Sequence, residues 1–312
     1  MPKADSKIVV LGLGGTIAGV GTDPGDGLAY EPAKRRADQL VAAVPDLAGL
    51  DIQVEQVAQL DSKDMEYATW HLLAQSVAYH LDRSDVSGIV ITHGTDTLEE
   101  TAYLLQRVLA PDKPVVLTAA MRPATALLSD GPQNLLDAVR VAQHAQARGV
   151  VVVVAGMMHS ALDVRKVHTY RLDAFGSGDV GPLGTVQGGV LRLWRPWPSG
   201  EALGLKLLAR EKPPRVDIVF SHAGADGSVV EALRARGIDG IVVAGTGNGT
   251  VHARLQAALT QAQQEGGVQV LRCTRVAQGA VTPTDRDLLL SAGALSPAQT
   301  RVELMLRLLA AA

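Results

Sequence analysis

Alternation narrows the fold of this chain more than any other feature. Up to about residue 156, strand-like runs (7–13, 52–60, 88–94, 114–120, 149–156) take turns with helical patterns (33–44, 64–82, 98–109, 132–147). That rhythm is the signature of βαβ units, so an α/β fold with a mostly parallel sheet is expected. A stretch poor in regular pattern runs from Trp194 to Pro214, after which strands at 216–221, 240–245 and 268–276 resume the alternation. Ser296-Pro297 then opens a final amphipathic helix, and Ser228 with Glu231 reads as a capping box. The expected organisation is a larger N-terminal domain (1–192), a linker (193–214) and a smaller C-terminal α/β domain (215–312). With 312 residues, 47% of them hydrophobic, the chain can fill two substantial cores.

In an open parallel sheet ligands bind at the carboxyl ends of the strands, so the βα loops are where chemistry is sought. Val90 to Leu105 reads V-I-T-H-G-T-D-T-L-E-E-T-A-Y-L-L. It begins as an apolar strand and ends as a helix with Leu98, Ala102 and Leu105 on one face. Thr97 and Glu100 have capping-box spacing, which predicts a helix start at Thr97. Capping leaves Thr95 and Asp96 without a structural task, and a hydroxyl beside a carboxylate at a strand end is a candidate catalytic pair. The first strand runs likewise into Gly12-Leu13-Gly14-Gly15-Thr16-Ile17-Ala18-Gly19. There a threonine hydroxyl stands among residues of little bulk, with backbone N–H groups able to face an oxyanion.

Other chemistries fit less well. Gly12 and Gly14 would need a third glycine at 17, which is Ile17, and Gly245 and Gly247 one at 250, which is Thr250, so no dinucleotide fingerprint or P-loop is present. None of the eight histidines stands in triad or metal spacing. The expectation is no cofactor and no metal. Charges are balanced at 29 basic and 32 acidic residues without a basic run, so neither a nucleic-acid nor an anionic membrane partner is expected. The single cysteine, Cys273, lies in an apolar run and reads as an inert buried thiol. No apolar run approaches the roughly 18 residues of a membrane span, and residues 1–7 are polar, so a cytoplasmic protein is expected.

The G-G-T-I-A-G loop at 14–19 and the H-G-T-D-T loop at 93–97, in this order and spacing, resemble the L-asparaginase/glutaminase family. Ala120-Met121-Arg122-Pro123, Ser129-Asp130-Gly131-Pro132, Gly181-Pro182-Leu183-Gly184 and Gly245-Thr246-Gly247-Asn248-Gly249 extend the resemblance over nearly the whole chain. It implies hydrolysis of the side-chain amide of L-asparagine through an acyl-threonine. Thr16 would be the first nucleophile and Tyr30, after the glycine-rich stretch Gly21 to Gly27, the lid tyrosine that relays its proton. Lys166, about 70 residues after Thr95, would complete a Thr95, Asp96 and Lys166 set. Ser62, which by position reads as an N-cap, would bind the α-carboxylate of the substrate and Asp96 its α-ammonium. Gly15 and Ala120 would supply main-chain contacts to the oxyanion and amide, and Gly94 would also line the substrate. Asn248 would reach the site from a neighbouring subunit, which implies a homotetramer with sites at subunit interfaces.

Two positions depart from the family pattern. Lys63 stands where a Gln or Glu usually helps hold the ammonium; pointing inward it would favour a carboxylate, and pointing outward it would remove a partner. The usual glutamate of the neighbouring subunit has no counterpart, and Asp285 is the nearest substitute. Which threonine attacks first, and whether the preferred amide is L-asparagine, L-glutamine, a D-isomer or a larger amide, stay open on sequence. Two further readings are an ammonia-supplying component of a tRNA-linked amidotransferase, against which the missing basic patch argues, and a catalytically silent amino-acid-binding protein.

Overall fold

The computed structural model describes residues 7–21, 23, 29–285 and 287–311. The chain divides into two compact units, Met1–Leu205 and Lys206–Ala312. Most of Gly21 to Gly27, expected as a lid, lies outside the described residues.

The first unit is built on one eight-stranded sheet. Its strands are β1 (Lys7–Gly14), β2 (Ile52–Leu60), β3 (Val86–Thr92), β4 (Pro114–Thr118), β5 (Gly149–Val154), β6 (Met157–Ser160), β7 (Gly184–Gln187) and β8 (Val190–Leu193), in spatial order 8-7-6-5-4-3-1-2. Strands β1 to β5 are mutually parallel, and Val10 pairs with Val54 on one side and Val90 on the other. The central strands are buried on both faces, Ile8 to Leu11 and Val150 to Val153 among them, as aliphatic runs in a two-sided parallel sheet must be. Among the described residues four α-helices complete the unit: α1 (Ala37–Ala42), α2 (Tyr67–Asp82), α3 (Leu98–Leu109) and α4 (Gly131–Ala142). Leu98, Ala102 and Leu105 of α3 are fully buried, as their spacing requires.

The antiparallel edge β6–β8 goes beyond the sequence expectation. Strands β5 and β6 are joined across Ala155 and Gly156, both at positive φ (50° and 72°), the conformation of a two-residue hairpin turn. Alanine in that position hides the turn from a reading that looks for Asn-Gly or Gly-Gly. The expected linker is also tied down in part. Trp197 is buried with its ring 6.1 Å from that of His144, and the N–H groups of Leu203 and Gly204 donate to the carbonyls of Arg107 and Val108.

Order 2-1-3-4-5 places β1 between β2 and β3, so the chain leaves β1 and β3 toward opposite sides. The crevice beyond their carboxyl ends is the ligand position of an open α/β sheet. Gly15-Thr16 follows β1 there, and His93-Gly94-Thr95 follows β3.

The second unit is a parallel four-stranded sheet, β9 (Val216–Phe220), β10 (Gly240–Gly245), β11 (Gln269–Thr274) and β12 (Leu290–Ser291), in that spatial order. It carries α5 (Ser228–Ala235), α6 (Ala253–Gly266) and α7 (Pro297–Ala311), with Ile241, Val243, Leu255 and Leu259 in its core. Ser296 and Gln299 cap α7 reciprocally at 3.1 Å in each direction. The box expected at Ser228 is displaced, because Asp226 Oδ1 takes both the N–H and the hydroxyl of Ser228. An aspartate two residues upstream is the stronger acceptor for that turn.

Candidate active site

Backbone shape comes first. The pairing of β1 with β2 slips between Gly12 and Gly14, and the two glycines that follow the slip take φ of 100° at Gly14 and 78° at Gly15. With ψ at −171°, Gly15 occupies a region that only glycine populates. A Cβ there would overlap the backbone of Gly94, and one on Gly94 would overlap Ser62 Oγ. Thr16 and Thr95 therefore issue from two loops whose preceding residues are in van der Waals contact.

Each hydroxyl has one strong side-chain partner. Thr16 Oγ1 lies 2.7 Å from Tyr30 OH, and both threonines are buried, Thr16 at 8% and Thr95 at 6% exposure. Tyr30 is held by the short antiparallel pair Tyr30–Glu31 with Val20–Gly21, and its ring rests over Gly19. Lys166 Nζ donates to Thr95 Oγ1 at 2.9 Å and to Asp96 Oδ1 at 2.6 Å. Lys166 comes from the pair Arg165–Lys166 with Phe175–Gly176, and an open groove beside it is lined by Asp96, Val167, His168 and Thr169.

Ser62 binds the same turn from the other side. It lies in a 3-10 turn, Ser62–Asp64, while α2 begins only at Tyr67, so it is not the N-cap of α2. Its Oγ accepts from Asp96 N at 3.1 Å and its carbonyl accepts from Thr97 Oγ1 at 2.8 Å. Accepting leaves the hydroxyl its own hydrogen to donate to an anion. The Thr97 contact also corrects the expected capping box: α3 starts at Leu98 with Thr97 as N-cap, but the Thr97 hydroxyl goes to Ser62 instead of the helix.

His93 forms no triad. Trp70 Nε1 donates to Thr101 Oγ1 at 2.9 Å, Thr101 Oγ1 is 2.9 Å from His93 Nε2, and His93 Nδ1 is 2.7 Å from Gly94 O. An indole can only donate and a carbonyl only accept, so His93 carries its hydrogen on Nδ1 and Thr101 donates to Nε2. Complete burial holds its pKa down to about 4, so it stays neutral. The Gly94 carbonyl is thereby drawn toward His93. In a trans peptide the Thr95 N–H points the opposite way.

The other expected residues take different places. Gly15 gives its N–H to Leu60 O, and its carbonyl accepts from the N–H groups of Ala18 and Ala33. Ala120 is fully buried, and the loop after it is shaped by Asp130, which accepts from Met121 N at 3.0 Å and Arg122 N at 2.9 Å. Lys63 Nζ pairs with Asp61 at 2.7 Å and Asp64 at 3.3 Å, so nearby carboxylates already neutralise its charge. In the second unit Asn248 exchanges two hydrogen bonds with the backbone of Thr282, at 2.9 and 2.8 Å, and Asp285 is exposed. Among the described residues no group of three or more His, Cys, Asp or Glu side chains could hold a metal ion.

Sequence reasoning passed over Glu99, Thr101 and Asp130 as working parts. Glu99 Oε2 accepts from the main-chain N–H of Lys166 at 2.7 Å. Its one sequence signal was its place, three residues after Asp96 and in the first turn of α3.

Residues 7–198 match the family model described as "Asparaginase, N-terminal", and residues 215–311 match "Glutaminase/Asparaginase C-terminal domain". L-asparaginase 2 of Escherichia coli (strain K12) is 38% identical, with 97% of this chain and 88% of that protein covered. The glutaminase-asparaginase of Pseudomonas fluorescens biotype A is 36% identical, with 97% and 86% covered. A crystal structure of a probable cytoplasmic L-asparaginase from Campylobacter jejuni superposes with a TM-score of 0.91 at 38% identity, covering 97% of this chain and 95% of that one.

Proposed function

The chain belongs to the asparaginase family, and on that premise we propose that it is an amidohydrolase that cleaves the side-chain amide of L-asparagine to L-aspartate and ammonia. The observation that carries this reading is the pairing of two buried threonine hydroxyls, one with Tyr30 and one with Lys166, on touching loops at the switch point of the sheet. A threonine is a weak nucleophile until a base takes its proton, and each pair supplies a partner for that transfer.

In this mechanism Thr16 Oγ1 attacks the amide carbon while Tyr30 relays its proton to the leaving nitrogen. The C–N bond breaks, ammonia departs, and the acyl group is held as an ester on Thr16. Thr95, with Lys166 and Asp96 behind it, then activates a water that cleaves the ester and frees the carboxylate. The Thr95 N–H faces the developing oxyanion, where a fixed donor contributes about 3–4 kcal/mol. Ser62 binds the α-carboxylate and Asp96 the α-ammonium. The site is completed by Asn248 of a second subunit in a homotetramer, and the protein works in the cytoplasm. A mass near four times 32.7 kDa by light scattering supports that assembly, and a monomer refutes it. Recovery in a periplasmic extract refutes the compartment.

A second reading, L-glutamine hydrolysis, is favoured by the resemblance to a glutaminase-asparaginase. Ammonia release from L-asparagine and L-glutamine, each titrated from micromolar to tens of millimolar, tests both. Saturable turnover of L-asparagine supports the main reading. Binding of L-asparagine by calorimetry without ammonia release means a silent binding protein.

A further inference from the structure

We propose that Glu99 is a positioning residue for Lys166, acting as the second jaw of a clamp that fixes both ends of that lysine to the short stretch Thr95–Glu99 leading into α3. The inference rests on the catalytic reading of Lys166 given above. Lys166 reaches this stretch twice. Its Nζ meets Thr95 Oγ1 and Asp96 Oδ1, and its main-chain N–H donates to Glu99 Oε2 at 2.7 Å.

The bond has a definite task. Lysine has four rotatable side-chain bonds, and holding the ammonium in one place costs about 2 kcal/mol of rotamer entropy. That cost rises if the backbone at the root of the side chain also wanders. Lys166 sits in a strand pair of only two residues per strand, at the neck of an excursion whose tip around His168 to Arg171 is largely exposed. Such a short ladder is a weak support by itself. The Glu99 carboxylate supplies the missing one from a rigid element, through a short bond with a charged acceptor. Glu99 also stands in the first turn of a twelve-residue helix, where the helix dipole favours a negative charge. Loss of the jaw shifts the root of Lys166 relative to Thr95, and misplacement by about 1 Å costs on the order of a hundredfold in rate.

The test compares Glu99→Leu, Glu99→Gln and Glu99→Asp with the parent by steady-state ammonia release and by hydrogen exchange at the Lys166 amide, with fold checked by circular dichroism. In Glu99→Leu we expect kcat to fall about 10- to 100-fold while KM stays within about threefold, and the amide to exchange at least about tenfold faster. Glu99→Gln keeps an oxygen acceptor at the same reach and should restore both readouts to within about threefold of the parent. Glu99→Asp keeps the charge but is one methylene short, so it should resemble Glu99→Leu, and it carries the test if the leucine variant does not fold.

The clamp is overturned if Glu99→Leu, or Glu99→Asp in its place, leaves kcat and exchange within twofold of the parent. It is also overturned if Glu99→Gln loses as much as Glu99→Leu, since charge and not the bond would then matter. A parent that releases no ammonia from either amide defeats the hydrolase reading, whereas exchange at the Lys166 amide still decides the clamp.

Discussion

Thr16 and Thr95 differ in what stands behind them. A phenol backs the first, while a lysine and a carboxylate back the second, so removing either hydroxyl should interrupt a different half of the reaction. Thr16→Ala and Thr95→Ala are each expected to lower kcat by at least about a hundredfold with little change in melting temperature. Near-normal turnover in either variant removes that residue from the mechanism. Lys63 leads to a different expectation. Because Asp61 and Asp64 already hold its ammonium, Lys63→Gln should change the ratio of kcat/KM for L-asparagine over L-glutamine by less than about threefold. A shift of tenfold or more would mean that the lysine leaves those carboxylates for the substrate. The residues named from motifs were legible because each lies within a few positions of a strand end. The partner of the Gly15 N–H was not, since Leu60 is distant in sequence and its carbonyl becomes available only when β2 lies beside β1.

Among the elements, α3 shows best what a local pattern can and cannot say. Its span and buried stripe follow from the positions of Leu98, Ala102 and Leu105, which need no knowledge of the rest of the fold. Its N-terminal cap does not, because Thr97 turns to a carbonyl brought in by another loop. Its C-terminal end carries a cost: Ala110 adopts the left-handed conformation, φ 36° and ψ 58°, that glycine takes more readily. Ala110→Gly is expected to raise stability by about 0.5–1 kcal/mol, measured as the denaturation midpoint, with activity unchanged. A lower midpoint would show that the alanine methyl contributes packing that exceeds the strain. The displaced cap at Asp226 teaches the same lesson, since Asp226 and Glu231 both offer a carboxylate to the Ser228 N–H and only the folded geometry chooses.

For the whole molecule the buried imidazoles set a pH dependence. Burial lowers His93 and His159 to about 4, well below an exposed histidine near 6.5, so the unfolded chain binds more protons than the folded one between those values. Their contribution to stability is complete above about pH 6.5 and is lost as pH falls toward 4. Below that, Glu55, which His80 and Ser76 hold down against its own burial, adds to the loss. Asp287, held down chiefly by the Thr284 N–H, acts in the same direction. Asp137, pushed up by burial, opposes them. Melting temperature followed from pH 7 to 4 at constant ionic strength should fall continuously from about pH 6.5. A flat profile to pH 5 would mean that these histidines are solvated in the folded protein.

The α/β class, the run of parallel strands, the two loops that carry threonines and the family to which the chain belongs could all be read from residue order alone, because periodicity and short motifs are local properties. Folding in three dimensions was needed to bring Gly15 against Gly94, to hold Lys166 at one end by Thr95 and Asp96 and at the other by Glu99, to extend the sheet antiparallel with β6 to β8, and to neutralise Lys63 by its neighbours. Each of these depends on which backbone atoms arrive beside one another when distant strands pair, and hydrogen bonds formed across such distances leave no period in the sequence.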